Sequence, residues 1–167
     1  MESTYAHIEK NVITRNYKAN IAFGGLSSSD TVIVNNEITE CRQEGIFAIE
    51  CGFAWIHKNE ITDNSDGIVL FDSCPHIADN DINQNQRSGI SCCGASFPKI
   101  EKNQIYGNMQ SGINIRDHSE CVLKGNEIFS NYYQMSCRGY SKIKQNEIKV
   151  KNNITGDSEF SSDCILF

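Results

Sequence analysis

Proline is nearly missing from this chain: Pro75 and Pro98 are the only two in 167 residues. Proline-rich loops and linkers are thereby excluded. Long apolar runs are missing too, and none approaches the roughly 18 residues of a membrane span. The opening stretch, MESTYAHIEKN, has no apolar core, so no secretory leader is expected. Basic residues are outnumbered, 15 against 21 acidic, for a formal net charge of −6. That balance argues against nucleic acid and anionic membrane as partners and leaves basic protein surfaces open. The eight cysteines include no Cys-x-x-Cys pair, so neither a zinc site nor any other metal or cofactor is expected. Without a leader the thiols read as reduced and mostly packed in a core, which suits a cytoplasmic chain.

What is present is a repeat. The phrase apolar-x-x-Asn-x-Ile occurs as IEKNVI at 8, IVNNEI at 33, IHKNEI at 56, IADNDI at 77, IEKNQI at 100, LKGNEI at 123 and IKQNEI at 143. The starts are 25, 23, 21, 23, 23 and 20 residues apart. Before each phrase in the middle of the chain lies a Gly-Ile strand: GIFA at 45, GIVL at 67, GISC at 89 and GINI at 112. Apolar and polar residues alternate within these segments, the mark of half-buried strands, and helical spacing is sustained nowhere.

Three short strands in about 22 residues cannot form a free-standing sheet, but they can form one triangular coil that stacks on the next at about 4.8 Å. The expected fold is all-β: a right-handed parallel β-helix solenoid with three short strands per coil and about seven coils. It is read as one domain over 1–167, with coils from about 7 to 155 and an incomplete coil or docking tail at 156–167. Asn11, Asn36, Asn59, Asn80, Asn103, Asn126 and Asn146 should stack as a structural ladder, because a side-chain amide both donates and accepts. These asparagines are expected to take the left-handed backbone conformation of the corner themselves. A second ladder is expected through Asn16, Asn64, Asn85, Asn108 and Asn131, interrupted by Cys41 and Lys151. Inward columns are expected from Ile46 to Met135, Ala48 to Cys137, Ile33 to Ile143 and Ile38 to Ile148.

The repeat, written x-I-x-x-N-x-I-x-x-N-x-x-x-G-I, resembles the right-handed parallel β-helix repeats of the pectin-lyase-like superfamily, over about residues 7 to 155. It looks most like the β-helix regions of F-box proteins and Shc-binding-protein relatives. The resemblance implies the solenoid, which hosts lyases, hydrolases, epimerases and non-catalytic interaction modules alike. The Asn-Thr-Asp, Asp-Asp, Gly-His-Gly and Arg-Ile-Lys strings of polygalacturonases are absent here, as is the Arg-x-Pro-x-x-Arg element of pectate lyases. The candidates for catalysis reduce to Asp72, Asp117 and His118, with His76 and Arg116 nearby in the pattern. Two carboxylates two coils apart would stand near 10 Å, room for a water between them.

Alternation puts Phe47, Ile49, Val69 and Phe71 outward on neighbouring coils, with Arg116 and Arg138 further along the same wall. An apolar patch of that kind is expected to bind a protein partner. On another wall Glu37, Glu60, Asp81, Glu127 and Glu147 form an acidic row broken by Gln104, and Trp55 and His57 flank Ile56 on the remaining one. The expected function is a non-catalytic structural or adaptor subunit docking protein subunits of a larger assembly, in a cytoplasmic, cytoskeletal or ciliary setting. The alternative is a carbohydrate-binding or carbohydrate-cleaving module, which a groove lined by carboxylates and aromatics would favour.

Overall fold

Strands of two to six residues are too short to be stable alone, so each must find its partner in another coil. The computed structural model describes residues 6–25, 31–147, 149–151, 153–154 and 158–167. The first coil is β1 (His7–Glu9), β2 (Val12–Thr14) and β3 (Ile21–Gly24). The second is β4 (Thr31–Val34), β5 (Glu37–Thr39) and β6 (Glu44–Ile49), and the third is β7 (Ala54–His57), β8 (Glu60–Thr62) and β9 (Asp66–Phe71). The fourth is β10 (His76–Ala78), β11 (Asp81–Asn83) and β12 (Ile90–Cys93), and the fifth is β13 (Lys99–Glu101), β14 (Gln104–Tyr106) and β15 (Ser111–Ile115). The sixth is β16 (Glu120–Lys124), β17 (Glu127–Phe129) and β18 (Tyr133–Cys137). The seventh is β19 (Lys142–Asn146), β20 (Lys149–Lys151) and β21 (Glu159–Phe160), and β22 (Ile165–Leu166) follows. Every third strand pairs in parallel, giving sheet A of eight strands from β1 to β22, sheet B of seven from β2 to β20 and sheet C of seven from β3 to β21. This is a right-handed parallel β-helix.

Stacking in register puts like on like. Ile33, Ile56, Ile77, Ile100 and Leu123 are partners along sheet A, and Ile38, Ile61, Ile82, Ile105 and Ile128 along sheet B. All ten are fully buried. Sheet C contributes the columns Ile46 to Met135 and Ala48 to Cys137, also buried. β-Branched isoleucine suits these positions because its stiff side chain fits a pleated surface. The glycines that open the sheet C strands have a steric reason. A Cβ on Gly67 would stand 2.4 Å from the carbonyl oxygen of Gly89 and 3.0 Å from Asn85 Nδ2.

The ladder forms as a chain of shared acceptors. The Asn80 amide N and Nδ2 both donate to Asn103 Oδ1, at 3.0 and 2.9 Å, while Nδ2 also donates to the Ile56 carbonyl. The same pattern runs from Asn11 to Asn126. The left-handed residue, however, is the one before each asparagine. Lys10, Asn35, Lys58, Asp79, Lys102 and Gly125 have positive φ at the A–B corner. Arg15, Glu40, Asp63, Gln84, Gly107 and Ser130 have it at the B–C corner. The corner side chain points to water and its type is free; the asparagine turns its amide inward, where coils are bridged.

The last phrase departs from expectation. In β19, Ile143 lies opposite Cys121 and Gln145 opposite Leu123, and in β20 Val150 lies opposite Ile128. The phrase IKQNEI therefore arrives two residues early for its coil, which is what its short interval of 20 encodes. Asn146 falls inside β19 opposite Lys124, exposed, and is not a rung of the ladder. Ile148, expected in the sheet B column, lies outside the described residues. The second ladder is not stopped by Lys151, because Asn153 Oδ1 accepts from the Asn131 amide N at 2.9 Å. The same slip removes Glu147 from the acidic row and puts Lys149 there, 2.9 Å from Glu127. The thiols are also not all reduced: Cys137 and Cys164 form a disulfide, and the other six cysteines form none among the described residues.

Candidate functional site

The outer face of sheet C changes character along the solenoid. One row across the coils reads Phe47, Val69, Ser91, Asn114, Ser136 and Glu159. A second row begins Ile49, Phe71 and Cys93, and Arg116 and Arg138 continue it just beyond the ends of β15 and β18. Its early coils are apolar, with Ile49 40% and Phe71 43% exposed beside half-buried Phe47 and Val69. The six residues expected on this wall thus share it, the four apolar ones at one end and the two arginines at the other.

On the later coils lies a groove of about 230 Å³, lined by Ser88, Met109, Gln110, Ser111, Asn114, Tyr132, Tyr133, Ser136, Arg138 and Glu159. Small serines on successive coils make the depression, and the larger side chains make its rims. Tyr132 and Tyr133 meet edge to face, with ring centroids 4.8 Å apart. Asn114 Nδ2 donates to Ser91 Oγ at 3.2 Å. Its Oδ1 is buried without a hydrogen-bond partner among the described residues. A buried acceptor left unpaired costs about 1–3 kcal/mol. Arg138 is exposed and makes no ion pair among the described residues. Arg116 is tied down instead: its Nε donates to Cys93 Sγ at 3.1 Å and stands 3.7 Å from Asp117 Oδ2. Burial pushes the Cys93 thiol up, against the opposing pull of that guanidinium. Asp66, next to the groove, is a buried carboxylate that accepts from the Ser88 amide and pairs with Arg87 Nη1 at 3.1 Å. Burial holds it above the usual carboxylate range.

Asp72, Asp117 and His118 lie outside the groove, at the corner where the chain leaves sheet C for sheet A. All three are exposed and have positive φ. Asp72 Oδ1 accepts from the Ala95 amide at 2.8 Å, which closes the turn of the next coil. Gly94 fits there because a Cβ would press against that carboxylate, 2.4 Å from its oxygen. The His118 ring stacks on Tyr140, centroids 5.7 Å apart. His76 does not join them. It stands on the outer face of sheet A, with Nε2 3.0 Å from Glu101 Oε2 and its ring 4.6 Å from Trp55. Lys99 Nζ is 3.0 Å from the same Glu101 oxygen. Among the described residues no three His, Cys, Asp or Glu side chains come close enough to hold a metal ion.

Sequence reasoning placed the wall but missed the groove, Asp66 and the His76–Glu101 pair. The signal for the groove was available: stacking Ser91 on Asn114 and Ser136 already shows a polar, low-relief strip beside Arg138.

Residues 1–155 match the family model described as "Right handed beta helix region". No curated protein matches the sequence. Among solved structures the chain is similar to a double mutant of the periplasmic alginate epimerase AlgG, with a TM-score of 0.76 at 17% identity. That superposition covers 99% of this chain and 46% of the other, so the chain spans about half the length of that protein. At this identity the likeness is one of fold.

Proposed function

The chain belongs to the right-handed β-helix family, and on that premise we propose that it is a carbohydrate-binding domain that seats a carboxylated glycan in the groove of sheet C. One observation carries the reading: a polar groove of about 230 Å³ with tyrosine rims and a guanidinium at Arg138 that makes no ion pair among the described residues. Sugar hydroxyls pair with the serine and tyrosine hydroxyls along the groove. A uronate carboxylate supplies the partner that Arg138 lacks, through a charge-assisted bond. The structurally similar AlgG is named as an alginate epimerase, and alginate is a polymer of uronates. Binding without turnover is the form proposed. Asp72 is engaged by a backbone amide and Arg116 by Cys93, so neither faces the groove as a free catalytic group.

The test is calorimetric titration with uronate and neutral oligosaccharides of equal length. Saturable binding of the uronate is expected. Arg138→Ala and Asn114→Ala should each weaken it by about tenfold, and Val122→Ser on sheet A should not. Uronate binding indifferent to Arg138→Ala would rule the groove out.

A second reading is favoured by the exposed Ile49 and Phe71, which suit a protein partner docking on the apolar end of the same sheet. There the expected function is that of an adaptor. Replacing Phe47 and Phe71 by Ser should abolish a partner recovered with the native chain while the solenoid stays folded.

A further inference from the structure

We infer that Glu159 sets the charge specificity of the groove, and that the Cys137–Cys164 disulfide determines whether Glu159 is there; the inference rests on the glycan reading above.

Glu159 is contributed by β21, which adds to sheet C with Glu159 opposite Ser136 and Phe160 opposite Cys137. Its carboxylate accepts from Ser136 Oγ at 3.3 Å and lines the groove together with Arg138. The same two residues also line an adjoining recess of about 160 Å³. No ion pair forms between them within 4 Å, so the groove presents one positive and one negative group at the same end. A carboxylated ligand drawn to Arg138 meets the charge of Glu159 as it arrives.

Apart from the disulfide, the segment that carries Glu159 is held by two short strand pairings and a handful of hydrogen bonds. β21 and β22 have two residues each. Phe160, Ile165, Leu166 and Phe167 are 38–57% exposed, so their apolar surface is only about half buried. Its bonds to the preceding coil are backbone ones, such as Ser161 N to the Cys137 carbonyl, Ile165 N to the Ser141 carbonyl and Phe167 N to the Ile143 carbonyl, and two through side chains, Ser158 Oγ to Gln134 Oε1 and the Tyr140 amide to Asp163 Oδ2. Segments with short strands and few buried contacts open at low free energy. The Cys137–Cys164 bond, spanning 27 residues, ties this segment back to a cysteine in the buried core. A dithiol reductant breaks that bond by two successive exchanges. Two electrons pass to the protein sulfurs, which become two thiols, and the reductant leaves as its own cyclic disulfide. With the tie gone, residues 158–167 lift from the last coil and take the Glu159 carboxylate with them. The groove then presents Arg138 alone and takes an anionic glycan more tightly.

The experiment compares the oxidised chain, the chain treated with dithiothreitol, and the Cys164→Ser and Glu159→Gln variants. Each is titrated with a uronate oligosaccharide, and hydrogen exchange is followed across 158–167. Reduction and Cys164→Ser are expected to speed exchange in that segment and to tighten uronate binding by roughly three- to tenfold, the scale of one partly screened like-charge repulsion. Glu159→Gln should tighten it equally while exchange stays slow, and reduction of that variant should add nothing. Exchange at 158–167 unchanged by reduction overturns the inference whatever the ligand does. Equal uronate affinity in all four forms overturns it too and leaves the glycan reading standing. Absence of uronate binding in every form defeats both.

Discussion

The middle coils and the last coil are joined by different means. Between Ile33 and Asn131 the joints are repetitive: isoleucine on isoleucine, asparagine on asparagine, one coil after another. From Lys142 onward the register has slipped by two residues and the first ladder has lost its rung. The apolar side chains near the end of the chain are exposed, and a disulfide takes over. The contrast shows what a solenoid coil needs. Its stability is the sum of its own small contribution and the interfaces with its neighbours. Among the described residues a middle coil has two such interfaces, whereas β21 and β22 each pair with one strand, and the Cys137–Cys164 bond adds a covalent tie there.

The sharpest way to break this comparison is to insert a charge on each side of it. Ile82→Asp buries an unpaired carboxylate within the isoleucine column of sheet B. It should cost more than about 4 kcal/mol, so that the far-UV circular dichroism of a sheet is lost. Leu166→Asp, on the exposed β22, should stay within about 0.5 kcal/mol. Equal damage from the two would mean that the last coil is packed as firmly as the middle.

Next in size is the tie itself. In the chain-entropy account a loop of 27 residues gives the disulfide about 3.5 kcal/mol. Because the segment it holds is short and shallow, Cys164→Ser should spend that loss locally. Hydrogen exchange at 158–167 should accelerate while the urea midpoint of the solenoid barely moves. A fall of the whole unfolding curve would show that the disulfide supports the middle coils as well.

A smaller effect comes from the ladder. Asn80→Ala leaves the Asn59 amide N and Nδ2 without their shared acceptor, deep in the corner. About 2 kcal/mol should be lost, as for other buried donors left unpaired. Asn146→Ala, at the position that the two-residue slip moved out to solvent, should fall within about 0.5 kcal/mol. Urea denaturation of the two variants side by side separates a rung from a bystander.

What the sequence disclosed, and what it hid, divides along the same line. The isoleucine columns and the ladder to Asn126 were legible because each rests on a short-range pattern that recurs. Asn146 misled because the Asn phrase is local, whereas register is fixed by strand pairing, which sets Gln145 rather than Ile143 opposite Leu123. The left-handed corner was assigned one residue too late because its side chain faces water and so leaves little compositional trace; only Gly107 and Gly125 mark it. The groove was invisible in any one window, since Ser88, Ser111, Ser136 and Glu159 meet only after the coils are stacked. The Cys137–Cys164 pair was hidden for the same reason, as it depends on the chain folding back to form β21 and β22.

The smallest effect expected is electrostatic and belongs to the middle coils alone. Burial, the Lys58 charge and His76 hold the His57 imidazole below its ordinary 6.5, with Asp79 opposing. Below pH 6.5 the unfolded chain therefore binds a proton that folded His57 refuses. The folded state loses stability as pH falls from 6.5 towards the depressed folded value, and the full contribution is present above 6.5. Glu101 acts in a lower window. Burial raises it, but hydrogen bonds and charge from Lys99 and His76 outweigh this and hold it below 4.5. Its contribution is present above 4.5 and is lost as pH falls through the folded value. His57→Gln should therefore flatten the urea midpoint just below pH 6.5 and leave the steeper acid limb in place, whereas Glu101→Gln should do the reverse. Hydrogen exchange at 158–167 should follow neither change, because that segment holds no histidine and packs on sheet A through β19, two coils beyond Glu101.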